Sequence, residues 1–143
     1  MKKISICLLC ILMLFSYVTV PAAAANEGIM PCYNNVIETR TDFTISDSGV
    51  ARVTVSYEGI PGVTTGATIT TKVQKKSLGL IWTKIDIGTT NNEWVDIARL
   101  ADYYTFHSVT LPDTGTYRVV VEYEITGTGG ATDVIEDIQT AEY

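Results

Sequence analysis

The chain has 143 residues, with 16 acidic side chains, 10 basic side chains, one histidine and three cysteines. This length fits one domain. The net charge of −6 argues against nucleic acid and anionic membrane surfaces as partners. A single histidine argues against zinc sites and catalytic triads.

Residues 1–25 have the pattern of a secretory signal peptide. Lys2 and Lys3 precede an apolar run over residues 6–15, and Pro21 and four alanines follow. We predict cleavage after Ala25 and export to the cell exterior. The remaining 118 residues lose two lysines and no acid, so their net charge is −8. We expect no association of this mature form with a membrane.

Cys7 and Cys10 lie within the predicted signal, so Cys32 is the one cysteine of the mature chain. An internal disulfide is therefore excluded. Two interpretations of Cys32 stay open, which are a small buried hydrophobic residue and a disulfide-linked dimer.

Residues 26–37 contain Gly28, Pro31, Asn34 and Asn35, which disfavour regular structure, and we predict a flexible N-terminal arm there. Residues 38–143 are predicted to form a single β domain. Alternation on both sides of the turn at residues 47–49 predicts a first hairpin over residues 38–58.

Alternation resumes at residues 67–74, and a second strand at residues 80–87 contains Trp82. Residues 93–102 are ambiguous. Trp94, Ile97, Ala101 and Tyr104 recur at helical spacing, so a short crossover helix and an irregular connection both fit. A strand over residues 103–111 is predicted next.

The strongest pattern lies at residues 111–125, where a turn containing Pro112 precedes a run of alternating apolar and polar residues. This pattern predicts a long central strand with one buried face. The segment also matches the L-P-x-T-G sorting pattern at residues 111–115. No hydrophobic span and basic tail follow it, so we interpret the match as a turn.

The spacing Asp113-x-Gly115-x-Tyr117 resembles the tyrosine corner of immunoglobulin-like domains. This resemblance implies an all-β, antiparallel, immunoglobulin-like sandwich of about seven strands. It also implies that the Tyr117 hydroxyl bonds to the upstream backbone. Val119 stands where immunoglobulin domains have their second cysteine, so no inter-sheet disulfide is expected.

Several short segments are similar to a group of uncharacterised exported proteins of Gram-positive, Clostridia-like bacteria. They are Val73-Gln-Lys-Lys, Trp82-Thr-Lys-Ile, Trp94, Gly115-Thr-Tyr-Arg-Val119 and Gly129-Gly-Ala-Thr-Asp133. The similarity implies export and a β-rich fold, and it implies no activity.

No residue pattern supports catalysis or a cofactor. His107 lies in a predicted strand, where a structural role is usual, and the carboxylates cannot be assigned to a catalytic pair. Residues 129–133 faintly resemble a calcium repeat, but we interpret the acids Asp133, Glu136 and Asp137 as a solvated strand end. We therefore expect no metal site and no enzyme.

Aromatic residues offer the best prospect of a binding site, and we consider a platform made of Trp82, Trp94, Tyr103 and Tyr104. The alternative for Trp82 is a core anchor. The sequence favours a secreted binding or adhesion module at the cell surface, with a glycan or protein ligand. The alternative is a passive exported structural protein that self-associates through Cys32 or a free strand edge.

Overall fold

A computed structural model describes residues 32–143. The predicted signal at residues 1–25 and the first six residues of the predicted arm lie outside the described residues. Eight strands and no helix occur within residues 32–143. The strands are β1 (Val36–Ile45), β2 (Val50–Gly59), β3 (Thr64–Ser77), β4 (Ile81–Lys84), β5 (Trp94–Ala98), β6 (Asp102–Thr110), β7 (Thr116–Gly127) and β8 (Asp133–Glu142).

The strands form two antiparallel sheets, which confirms the predicted β-sandwich. One sheet has the order β1-β2-β6. The other has the order β4-β3-β7-β8, with β5 also paired to β3. The orders β1-β2-β6 and β3-β7-β8 correspond to strands A-B-E and C-F-G of immunoglobulin-like sandwiches. No disulfide occurs among the described residues, in agreement with the prediction.

The core lies between β2 of one sheet and the β3–β7 pair of the other. Alternate side chains of these strands point inward because successive residues of a strand face opposite sides. The inward residues are Ala51, Val53, Val55, Tyr57, Ala67, Ile69, Val73, Tyr117, Val119, Val121, Tyr123 and Ile125, all of them buried. The side chains that point outward from these strands are not part of this core and can contact other groups.

The crossover helix considered for residues 93–102 is absent, and the structure has β5 there instead. Residues 94–98 pair with residues 67–71 of β3. Trp94, Asp96 and Ala98 face inward, whereas Val95 and Ile97 are exposed. The free edge of β3 accepts the segment as a strand, and this pairing overrides the helical spacing of its apolar residues. The additional strand raises the count from about seven to eight.

The segment predicted as an arm is bound to the domain where the structure describes it. The carboxylate of Asp133 accepts the backbone N–H groups of Asn34, at 2.9 Å, and Asn35, at 2.7 Å. The Asn35 side chain is buried and donates to the carbonyl oxygen of Ala131 at 2.8 Å. A Cβ on Gly129 would lie 2.0 Å from the carbonyl oxygen of Asn34, so this approach requires glycine. Asp133 thus fastens the start of β1 to the β7–β8 loop.

The buried Tyr117 ring holds the turn before β7. Its hydroxyl donates to the carbonyl oxygen of Asp113 at 2.7 Å and lies 2.9 Å from the Asp113 carboxylate. Burial, and then the bond with Asp113, raise the pKa of Tyr117 to about 12. Leu111 is also buried, and its N–H donates to the carbonyl oxygen of Gly49 at 2.8 Å. Residues 111–115 are therefore built into the end of the sandwich.

Tyr117→Phe should lower the free energy of unfolding by about 1 kcal/mol, because the carbonyl oxygen of Asp113 loses its donor while the ring stays buried. Urea denaturation monitored by circular dichroism measures the change. An unchanged midpoint would show that the hydroxyl contributes nothing to the turn.

Asp133→Ala should cost about 2–3 kcal/mol, because two backbone N–H groups at the start of β1 lose their acceptor. Glu136→Ala, an exposed substitution on the same strand, is the matched control and should change stability by less than about 0.5 kcal/mol. Equal effects of the two substitutions would contradict this role of Asp133.

Candidate functional site

The four aromatic residues considered as one platform lie in three different places. Trp94 and Tyr103 come together between the edges of the two sheets, where both pack against the core. Trp82 lies on the outer face of the five-stranded sheet, in the β3–β4 hairpin. Tyr104 lies on the outer face of the three-stranded sheet and is 64% exposed. The side chains that surround the aromatic residues differ among the three places.

Trp94 and Tyr103 surround a hydrogen bond between Asp96 and His107. Nε2 of His107 lies 2.7 Å from Oδ2 of Asp96, and both side chains are mostly buried. The Trp94 ring stacks on the imidazole at 4.8 Å between centroids and 7° between planes. The Tyr103 hydroxyl donates to Asp96 at 3.4 Å. The pair links β5 to β6, and therefore connects the two sheets along one side of the sandwich.

The Asp96–His107 contact can be tested by a double-mutant cycle. Asp96→Ala should lower the free energy of unfolding by about 1–2 kcal/mol, and the coupling with His107→Ala should be about 1 kcal/mol. Urea denaturation of the two single variants and the double variant measures both values. Strictly additive effects would show that the two side chains do not stabilise each other.

The outer face of the three-stranded sheet carries exposed aromatic side chains on β6. Tyr104 and Phe106 point outward because Tyr103, Thr105 and His107 point inward. The Arg52 guanidinium lies over the Phe106 ring, 4.1 Å from its centroid. Phe106 was missed as a candidate, although its spacing of two residues from Tyr104 places both on one face.

A concavity adjoins Tyr104 on this face and is lined by Glu38, Arg40, Ser56, Tyr57 and Glu58. Ser56 is the register partner of both Arg40 and Tyr104, so these three residues form one row across the sheet. Neighbouring strands lie about 4.8 Å apart, which places Tyr104 within roughly 10 Å of Arg40. Carboxylates, a guanidinium and a hydroxyl therefore adjoin an exposed aromatic ring. We name Tyr104, Phe106, Arg52 and this concavity the β6 face.

Trp82 has cationic neighbours. The Lys76 Nζ lies 5.7 Å from the centroid of the indole ring, and the Arg118 guanidinium carbon lies 4.5 Å from it. Arg118 is held by a 2.7 Å bond to the side-chain oxygen of Gln74. The aromatic surface of Trp82 is thus engaged by side chains of its own sheet, and it is less open to a sugar than that of Tyr104.

The other three lysines of this region pair with acids, and the Lys72 Nζ lies 3.8 Å from the Glu93 carboxylate. Lys75 binds Asp113, and this hydrogen bond, followed by that from Tyr117, lowers the pKa of the Asp113 carboxyl. Lys84 binds Glu93 and likewise lowers its pKa.

Two candidates from the sequence remain, Cys32 and Asp133. Cys32 is exposed. The Asp133 carboxylate accepts the backbone N–H groups of Asn34 and Asn35, as described above. No cluster of three or more potential metal ligands occurs in residues 32–143. Within the same residues, no helix is long and apolar enough to cross a membrane.

The chain matches no protein-family model, and the search of curated proteins gives no match either.

Proposed function

We propose that the mature protein is an exported, non-enzymatic binding module that recognises a glycan at the cell surface through the β6 face. The observation that carries this proposal is the exposed Tyr104 ring beside a concavity lined by charged and hydroxyl side chains. A sugar ring presents apolar C–H groups on its faces and hydroxyl groups around its edge, and such a surface complements both kinds of side chain.

The chemistry of the individual residues supports a glycan ligand. Aromatic rings combine a large apolar face with low conformational entropy, so they suit sugar stacking. Glu38 and Glu58 can accept hydrogen bonds from sugar hydroxyls, and Arg40 can donate them. These residues lie on paired strands, so binding would require little ordering of the protein.

The proposal includes the absence of catalysis. Hydrolysis of a glycosidic bond requires two carboxyl groups on opposite sides of the scissile bond. Glu38 and Glu58 are register partners on adjacent strands and point outward from one side of the sheet. They therefore lie beside each other on an open surface, an arrangement suited to binding.

The second candidate function is self-association, and it rests on the exposure of Cys32. A disulfide through this thiol would link two copies at the start of the folded domain. This candidate predicts a covalent dimer that dissociates on reduction, with no dependence on Tyr104.

Calorimetric titration of residues 26–143 with cell-wall polysaccharide fragments tests the glycan proposal. Tyr104→Ala should weaken binding at least tenfold, which corresponds to about 1.4 kcal/mol. The stability should change little, because the side chain is mostly exposed.

Val134→Ala is the matched control, because Val134 is 62% exposed on the outer face of the other sheet. It should leave the affinity unchanged. Equal affinities for the Tyr104→Ala and control proteins would contradict the proposal, as would a lack of binding to every fragment.

A further inference from the structure

The β3–β4 hairpin ends in a turn whose sequence is unusual for its backbone conformation. Leu80 N–H donates to the carbonyl oxygen of Ser77 at 3.1 Å, and the two central residues, Leu78 and Gly79, have φ values of 51° and 71°. Two-residue hairpin turns with both φ values positive favour Asn-Gly, Asp-Gly or Gly-Gly. A bulky leucine in the left-handed region is unfavourable. The leucine therefore opposes local stability.

The side chains at this end of the hairpin are apolar and point into solvent. Leu78 is 92% exposed, Leu80 is 84% exposed and Ile81 is 59% exposed. None of them belongs to the core. We name residues 77–82 the hairpin tip. Folding does not need these three large apolar residues, because smaller polar residues could form the same turn. A contact with another molecule therefore accounts for them better.

The hairpin tip projects beyond the rest of its sheet. Lys75 is the last residue of β3 that pairs with β7, and the turn lies three to four residues further along. At about 3.3 Å per residue, the tip extends roughly 10 Å past that pair. Side chains that bind at a membrane surface reach about 5–10 Å into the boundary between headgroups and acyl chains.

The residues behind the tip are those that favour the interface of a bilayer. Trp82 follows the apolar residues, and tryptophan is enriched at the level of lipid headgroups. Lys76 and Arg118 flank its ring, and neither forms a salt bridge with an acid among the described residues, unlike Lys75 and Lys84. Cations at this level attract anionic lipids. The order along the hairpin is apolar side chains, then indole, then cations.

Basic residues are concentrated near the tip, although the composition of the mature chain is acidic. Five of the eight basic residues of the mature chain lie in the half of the five-stranded sheet that carries the tip: Lys72, Lys75, Lys76, Lys84 and Arg118. The acids Glu122, Glu124, Asp133 and Glu136 lie toward the opposite end, whereas Glu142 lies opposite Thr116 in the tip half. Also in the tip half, Glu93 pairs with Lys72 and Lys84, and Asp113 pairs with Lys75. Lys76 and Arg118 form no such ion pair within residues 32–143. At physiological salt, electrostatic interactions are screened over about 8 Å. Binding to a charged surface therefore depends on the charge near the contact more than on the net charge of the protein.

We propose that the hairpin tip inserts into the outer surface of an anionic lipid bilayer and holds the exported protein against it. A projecting apolar tip needs no complementary pocket in a bilayer, whereas a protein partner would have to supply one. The cations around Trp82 complement anionic headgroups. This inference does not depend on the β6 face.

Flotation of residues 26–143 with vesicles tests the proposal. Vesicles of phosphatidylcholine and phosphatidylglycerol at 3:1 should bind the protein at least tenfold more tightly than pure phosphatidylcholine vesicles. High salt should weaken the binding. In a Trp94→Phe background, which leaves Trp82 as the one tryptophan of this fragment, the vesicles should shift the emission to shorter wavelength.

The decisive variant is Leu78→Asn combined with Leu80→Thr. It should reduce vesicle binding at least tenfold while the melting temperature stays equal or rises, because Asn-Gly suits the turn better than Leu-Gly. Val134→Thr, at an exposed apolar position away from the tip, is the matched control and should bind like the unmodified protein. Tyr104→Ala should also bind normally, which separates this inference from the glycan proposal.

Undiminished vesicle binding by the double variant would overturn the proposal, as would a failure of the unmodified protein to bind anionic vesicles. A concentration-dependent dimer that the double variant abolishes, without vesicle binding by the unmodified protein, would instead assign the tip to a second copy of this chain.

Discussion

The fold depends on the burial of alternate side chains along β7, which pairs with β3 on one edge and β8 on the other. Tyr117 and Tyr123 lie six residues apart on its buried face, and each hydroxyl finds a backbone acceptor. Tyr117 bonds to Asp113, and Tyr123 donates to the carbonyl oxygen of Arg40 at 2.9 Å. The second bond joins β7 to β1 of the opposite sheet. Burial raises the pKa of Tyr123 to about 12. The Tyr123 hydroxyl therefore helps to align the two sheets, and the Tyr117 hydroxyl holds the turn before β7.

Two contacts at the sides of the sandwich add to the stabilisation that the core provides. Asp96 and His107 connect β5 to β6, and Asp133 connects the start of β1 to the β7–β8 loop. The first contact joins residues 11 apart in sequence and the second joins residues 98 and 99 apart. Both place a carboxylate where its oxygens are satisfied by hydrogen-bond partners. Asp133, which ends the segment that faintly resembles a calcium repeat, thereby has a structural role. The surfaces proposed for binding lie outside these two contacts.

Local alternation predicted strands that have one buried face, because burial on one face imposes period two on the sequence. It therefore predicted β7 and the β1–β2 hairpin well. It failed at β5, where Trp94, Ile97, Ala101 and Tyr104 fit a helix equally well and only the open edge of β3 decides the matter. The Asp96–His107 contact depends on β5 and β6 joining different sheets, and the role of Asp133 depends on a contact across 98 residues, so spacing could not reveal either. Phe106 could have been found from its spacing to Tyr104.

The hairpin tip and the concavity beside Tyr104 lie toward opposite ends of the sandwich. Gly49 and Leu111 adjoin Gly115 and Tyr143, so the Val50 end of β2 lies at the same end as the hairpin tip. Glu58 lies eight residues further along β2, which corresponds to roughly 25 Å at 3.3 Å per residue. A protein held to a bilayer by the hairpin tip would therefore present the concavity beside Tyr104 away from the lipid. This geometry would allow both proposed surfaces to be engaged at once without competition.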